Sequence, residues 1–297
     1  MKTMNMKVKT FILWFAGTLI GTVCFAEDTE PSAIFKKVIA AYDSMETYSS
    51  EGTIISDVDS DVGKMKSETS FSMKLKKPNL YLIEWDQKNS MMPAMSQAGA
   101  VWKQGPQPYL YMGVTKAYSK MNADDMALGS ATGISGGAAF TIPSLFLSVF
   151  KGQPATFSGL VAPQLTGNEQ VDGEECYVVS GSSPRSRKET FWISKKAYLI
   201  RKYSRSLEAP EGGLKVPKVT DRDLEEAARA TGQDKEAMRR IMKQAEETTK
   251  TAKLKGTSTE FHGKIRTPKL AEDDFVFKVP VGVVLKDSIF GGALNSK

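Results

Sequence analysis

The residue types able to do chemistry are few in this chain. There is one histidine, His262. It falls on a predicted strand, with no Ser-x-Gly elbow and no catalytic cysteine nearby, so a nucleophile triad or a histidine-bearing zinc site has no basis. No Gly-x-Gly-x-x-Gly or Walker loop supports nucleotide binding. Acidic pairs occur at Asp124/Asp125, Glu174/Glu175 and Glu225/Glu226. Adjacent strand residues point to opposite faces, and the other pairs fall in a predicted loop and on a solvated helix, so paired-carboxylate catalysis is not expected. Asp57, Asp59, Asp61 and Glu68 match positions 1, 3, 5 and 12 of a calcium loop. Position 6 is Val62 where the turn needs glycine, and strands flank it, so a solvated hairpin tip is the better reading. Met91, Met92 and Met95 have the softness that suits Cu(I), but no His or Cys lies beside them. An adaptable apolar rim fits them better. Cys176 sits mid-strand among apolar neighbours and reads as an inert core thiol. No catalytic residue, no metal and no cofactor is expected.

The elements around these residues are mostly strands. Residues 167–205 alternate apolar and polar at period two. They carry an Asp172-Gly173 turn and a Lys195-Lys196 turn, which predicts an antiparallel meander. Earlier strands are predicted at Gly52–Val58, Thr69–Lys76, Leu80–Asp86, Ala98–Gln104, Tyr109–Met112 and Ala117–Met121. Phe71, Met73 and Leu75 alternate clearly with Ser72, Lys74 and Lys76. An amphipathic helix over 29–48 precedes them. Its stripe of Ile34, Phe35, Val38, Ile39, Tyr42 and Met45 needs a sheet face to lie on.

The middle reads differently. Residues 122–140 are small and Gly-rich, which predicts a mobile loop. Thr141–Lys151 predicts an apolar helix. A greasy helix on a flexible tether is the arrangement of a lid; an ordinary core helix behind a loop is the alternative. Pro154–Val161 reads as a strand, 208–219 as a linker and 220–254 as a charged, mostly solvated helical hairpin inserted between strands. Lys255–Ile265 and Phe275–Val279 read as the last strands.

Residues 1–26 have a basic start, an apolar run from Phe11 to Val23 and small residues before Glu27, the pattern of a cleaved signal peptide. A lipoprotein signal acylated at Cys24 and a retained anchor are the rival readings. The whole chain carries a net +6; without the leader's three lysines, 37 basic residues face 34 acidic ones and the net is +3. A nucleic-acid partner then has little support, and the mature chain is not expected to span a membrane. What is left for function is apolar and aromatic surface. The ligand-facing candidates are Phe71, Tyr81, Trp85, Trp102, Tyr109, Tyr111 and Trp192 on strands, with Phe146 and Phe150 on the proposed lid. Filling of the core is the alternative for all of them.

The order of these motifs carries a resemblance. A helix ending at Ala41-Tyr42 and Tyr48 leads to Phe71-Ser-Met-Lys-Leu-Lys-Lys-Pro-Asn-Leu-Tyr-Leu-Ile-Glu84. Then follow Trp102 with Gly105, Tyr111 with Tyr118, Glu169-Gln-Val-Asp-Gly-Glu-Glu-Cys-Tyr177, Phe191-Trp-Ile-Ser194 and Phe275-Val-Phe-Lys-Val-Pro-Val-Gly282. Together they resemble the periplasmic lipoprotein-carrier superfamily, the LolA/LolB-like fold, and within it the DUF2092 type of predicted periplasmic protein. The resemblance covers most of residues 30–285. It implies an α+β, mainly antiparallel β fold: an unclosed half-barrel of about eleven strands with helices covering the concave face. Residues 27–297 would form one such domain, with the charged insertion at about 208–254 departing from the carrier pattern. The implied function is a periplasmic, non-enzymatic carrier or binder of a lipid, a lipoprotein acyl chain or another amphiphile. Lipid chains ask only for dry apolar area, about 0.8 kcal/mol per buried methylene. Its partners would be lipid or lipidated protein. The alternative is an envelope regulatory module that docks a protein partner through the 220–254 hairpin.

Overall fold

The computed structural model describes residues 30–60, 63–89, 97–151, 156–157, 159–183, 186–208 and 255–289, with Asp221, Glu225, Glu236 and Arg239. The predicted leader, Met91, Met92 and Met95 lie outside them, and so does nearly all of the 220–254 hairpin. At those four isolated positions the backbone is helical.

The chain opens with helix α1 (Pro31–Ser44), where Pro31 sits in the first turn and costs no hydrogen bond. Its stripe of Ile34, Phe35, Val38 and Tyr42 is buried, while Ile39 stays exposed. The predicted helix runs to 48, but Met45 is already extended and strand β1 (Thr47–Ser60) begins almost at once. Strands β2 (Gly63–Lys76), β3 (Leu80–Asn89), β4 (Gln97–Gln104), β5 (Gln107–Met112) and β6 (Ala117–Lys120) follow as an antiparallel meander. After the covering segment come β7 (Val161–Val171), β8 (Glu174–Ser183), β9 (Ser186–Ser194), β10 (Ile200–Glu208) and β11 (Lys255–Arg266), with β12 (Val284–Lys286) last. The predicted Asp172-Gly173 turn joins β7 to β8 with both residues at positive φ, 49° and 77°.

All twelve strands form one sheet in the order β12-β6-β5-β4-β3-β2-β1-β11-β10-β9-β8-β7. It does not close on itself; its two ends are β12 and β7. Every pairing is antiparallel except β12 on β6. This is the open half-barrel, with few helices, that the LolA/LolB-like resemblance implies.

One face of the sheet carries the helices and the main core. From the strands it takes Tyr48, Phe71, Met73, Leu75, Tyr81, Ile83, Trp85, Val101, Leu110, Tyr177, Val179, Phe191 and Ile193. The other face carries two smaller clusters. Trp102 and Tyr111 pack under the C-terminal segment with Phe275, and Trp192 packs with Val171, Cys176 and Val178.

Four sequence expectations are corrected here. Residues 122–140 are not a loop: Asp124–Ser135 form helix α2, with Ala127, Leu128, Ala131 and Ser135 buried. Small side chains let this helix lie close against the sheet, so the feature that argued for mobility is the one that permits packing. The helix expected over 141–151 is broken. A single turn, α3 (Pro143–Phe146), gives way at Leu147, which is extended, and a 3₁₀ turn spans Ser148–Phe150. The break lets the chain latch onto the β2–β3 turn, where the Ser148 amide donates to the Pro78 carbonyl at 2.9 Å and the Val149 amide to Asn79 Oδ1 at 2.7 Å. Of the strand predicted at Pro154–Val161, the described residues Thr156, Phe157, Gly159 and Leu160 are turn or irregular chain, and Val161 is the first residue of β7. The strand predicted at Phe275–Val279 is a 3₁₀ turn (Glu272–Phe275) and irregular chain, and the edge strand is β12, whose residues are all exposed.

Candidate functional site

Between the helix-covered face and the segment joining β6 to β7 lies a cavity of about 400 Å³. Five strands and the covering segment build it. The apolar part is Ile54 of β1, Phe140 just after α2, and Leu160 just before β7. Gly136 and Gly137 end α2 at φ 75° and 132°, a left-handed stop that turns the chain across the cavity roof.

The remaining wall is polar. On β9, β10 and β11 the residues sharing the parity of the buried apolar positions turn from apolar to charged towards one end of the sheet. Phe191 gives way to Glu189, and Tyr203 is followed by Arg205. On β11 the buried row reads Ser258, Glu260, His262. Tyr203 opposes Glu260 in the register, and Arg205 opposes Glu189 on one side and Ser258 on the other.

The two carboxylates are buried, Glu189 at 7% exposure and Glu260 at 4%. Both oxygens of Glu189 are used. Tyr203 Oη donates to Oε2 at 3.0 Å and Ser183 Oγ donates to Oε1. Burial, and next the Glu189 charge, hold the Tyr203 phenol well above its ordinary range. Glu260 is only half used: Thr141 Oγ1 donates to Oε2 at 2.6 Å. Its Oε1 lies 2.9 Å from His262 Nε2, yet the ring N–H direction misses it, and neither atom has an aligned hydrogen-bond partner among the protein groups. The Thr141 carbonyl in turn accepts from Ser144 Oγ at 3.2 Å and Thr156 Oγ1 at 3.0 Å, which fixes the covering segment over the site.

The nine aromatic candidates fall in three places. Phe71, Tyr81, Trp85 and Phe146 are buried in the core beneath the helices, and Phe150 is half-buried against it. The Phe71 ring meets His262 edge-on at 5.5 Å, behind Glu260. Trp102 and Tyr111 lie on the opposite face with Tyr109, where Trp102 stacks on Tyr109 at 5.1 Å and meets Phe277 at 4.9 Å. Trp192 is on that opposite face too, donating from Nε1 to Glu169 Oε2 at 2.7 Å under the Lys202 ammonium. The cavity lining contains none of the nine among its described residues. The residues that sequence reasoning passed over are Glu189, Tyr203, Arg205 and Glu260. Their signal was parity: each stands where its strand's alternation calls for an apolar side chain.

Among the described residues no three His, Cys, Asp or Glu side chains gather as a metal ion would need, and no helix is long and apolar enough to cross a membrane.

A family model for a predicted periplasmic protein, DUF2092, matches residues 32–219. The chain belongs to this family. That span takes in α1, the whole β1–β6 meander, the covering segment and β7–β10, so the family unit includes most of the cavity wall except β11. As a DUF2092 member the protein is periplasmic. No curated protein matches the chain. Solved structures similar to it include an uncharacterised conserved protein from Thermus thermophilus, at 9% identity over 86% of this chain and 97% of that one with a TM-score of 0.39. A LolA-superfamily protein from Nitrosomonas europaea is 11% identical over 83% and 97%, TM-score 0.29. The lipoprotein LppX from Mycobacterium tuberculosis is 10% identical over 80% and 96%, TM-score 0.34. At these TM-scores the likenesses carry no argument about binding.

Proposed function

We propose that this DUF2092 protein is a non-enzymatic periplasmic binder or carrier of an amphiphile, a lipid or an acyl chain, held between the half-barrel and its covering segment. The observation that carries the reading is the cavity of about 400 Å³, apolar on one side and polar on the other. Its size lies in the range of small-molecule sites, roughly 300–1,000 Å³. An acyl chain needs dry apolar wall, and its head group needs partners at one end; Ile54, Phe140 and Leu160 supply the first, and the Glu189–Glu260 end supplies the second. Native mass spectrometry of protein taken from its own envelope tests this. The expected result is a bound mass released on denaturation, with uptake of acyl probes by the stripped protein. Thr132→Trp, which fills the cavity from α2, should reduce that uptake. A homogeneous empty mass that takes up no probe would overturn the reading.

A second reading rests on a different observation. Glu208 and Lys255 are paired across β10 and β11, so residues 209–254 leave and re-enter the sheet at one point. Arg239 Nη2 donates to Asp221 Oδ1 at 2.7 Å, linking two distant helical positions of that insertion. An insertion that the sheet does not need is available as a docking surface for an envelope protein. Partner capture that survives replacement of 209–254 by a short turn sinks this alternative.

A further inference from the structure

We propose that the C-terminal strap, residues 276–286, is a docking edge that seats this protein on the surface of an anionic lipid bilayer. This goes beyond the cavity and does not depend on what the cavity holds. The strap is apolar where a turn is ordinarily polar. The Val283 amide donates to the Pro280 carbonyl at 3.2 Å, closing a β-turn with Val281 and Gly282 at its tip, and Gly282 has φ 83°. Val281 is fully exposed there, and Val284 and Leu285 are each 52% exposed. Of the nine large apolar side chains exposed among the described residues, five lie in this strap and Val114 is a sixth. Val114 precedes Lys116, whose carbonyl accepts from the Val284 amide at 3.2 Å. Single exposed apolar residues are ordinary; a gathering of this kind marks a surface for a partner. Nor is the strap loose. Phe275 is buried, the Phe277 ring meets Trp102 at 4.9 Å and Tyr111 at 5.4 Å, and β12 pairs with β6 beyond the turn. The tip is therefore held outward by chain anchored on both sides.

Charge decides the partner. Between Asp274 and Asp287 the sequence holds Lys278 and Lys286 and no acid, and Lys116 is exposed beside the strap. An apolar tip flanked by lysines suits the boundary of a bilayer: the valines enter the head-group region while the ammonium groups stay among anionic phosphates. A second copy of the same edge would bring like charges together, which argues against self-association. Position adds an independent argument. Strand β12 runs parallel to β6 from Val284, so the turn projects past the end of the sheet where β5 passes into β6. Followed across the ladders, the row of Ala117 leads to His262 of β11, and the cavity-lining Glu260 and Ser258 lie on the turn's side of that row. The tip and the cavity share one end of the half-barrel, and docking by the tip turns that end towards the bilayer.

The test mixes protein purified from its own envelope with vesicles of phosphatidylcholine, made with and without phosphatidylglycerol, and reads binding by co-sedimentation. Vesicles containing phosphatidylglycerol should bind about tenfold more tightly or better, and high salt should erase the difference. Val281→Asp should weaken binding to them by about tenfold, with the denaturant midpoint and the uptake of acyl probes unchanged. Val281→Trp keeps an apolar tip, so it should still bind and its emission should shift to the blue when those vesicles are added. The comparison of the two vesicles on unaltered protein stands whether or not a variant folds. Equal binding to both vesicles, binding to neither, or binding indifferent to Val281→Asp overturns the assignment. A dimer that Val281→Asp splits, with vesicles left unbound, gives the edge to a second copy and overturns it too. None of these outcomes touches the cavity reading, which acyl uptake tests separately.

Discussion

Tyr42, Tyr48, Tyr81 and Tyr203 are phenols whose ionisation the fold suppresses. Burial is the largest cause at each, reinforced at Tyr81 by the Asp124 carboxylate that its hydroxyl touches at 2.9 Å. A folded-state pKa raised above the unfolded value of about 10 means that stability is fully present below pH 10 and declines as pH climbs beyond it, because only the unfolded chain releases these protons. Of the nine tyrosines, these four should ionise only together with loss of the near-ultraviolet dichroism. A smooth titration of all nine near pH 10 on an intact fold would contradict this. Cys176 follows the same logic. Burial, and then Glu174, push its thiol up to about 11, so the folded protein should resist thiol reagents at pH 8 by about a hundredfold relative to the unfolded chain. At this scale the sequence was informative about what a residue is and poor about which way it faces. Strand β4 buries Gly99, Ala100, Val101 and Trp102 in succession because both faces of the sheet are covered there, so alternation gives no sign that Val101 joins the main core and Trp102 the opposite one.

Glycine has two opposite meanings in these elements. Gly52 lies mid-strand in β1, opposite Phe71 and His262. A Cβ there would come within 2.2 Å of Phe71 Cζ and 2.3 Å of the Phe261 carbonyl oxygen. Gly52→Ala is therefore expected to destabilise by about 1–3 kcal/mol, read from denaturant midpoints at unchanged slope. In α2, Gly129 and Gly133 are exposed, and an added Cβ at either meets nothing within 4 Å. Gly129→Ala and Gly133→Ala should each stabilise by about 0.5–1 kcal/mol, and hydrogen exchange across 124–135 should slow. No gain from either would mean that α2 is not helical in solution. The same residues explain why α2 escaped the sequence reading. Its buried stripe is Ala127, Leu128, Ala131 and Ser135, of which only Leu128 carries a large apolar side chain, so it has almost no hydrophobic periodicity to detect. By contrast β2 was legible over Thr69–Lys76, where Phe71, Met73 and Leu75 face inward against a polar partner set, although the strand itself begins at Gly63, in a stretch that reads as a hairpin tip.

For the whole molecule, the insertion at 209–254 is the clearest place to cut. Because Glu208 and Lys255 already face each other across a ladder, replacing the insertion by Asn-Gly should close a hairpin with little change in melting temperature and unaltered uptake of acyl probes. A collapse of the fold would show that the insertion packs on the body of the protein. The architecture was legible because many short alternating runs separated by turn residues permit few alternatives to an antiparallel sheet. The cavity was not, because its wall comes from β1, β8, β9, β10, β11 and the covering segment, which only three-dimensional pairing brings together. That pairing has an effect on the order of assembly. The seam at the middle of the sheet joins the first strand to the last long one, with Thr53 against Phe261 and Ser56 against Ser258. A ribosome delivers the two sides of this seam about two hundred residues apart, so the half made first must wait with one flank of β1 unpaired. Contacts so distant in sequence slow folding. A chain of this topology therefore stays open until its end has emerged, which is the condition in which an exported polypeptide has to cross a membrane.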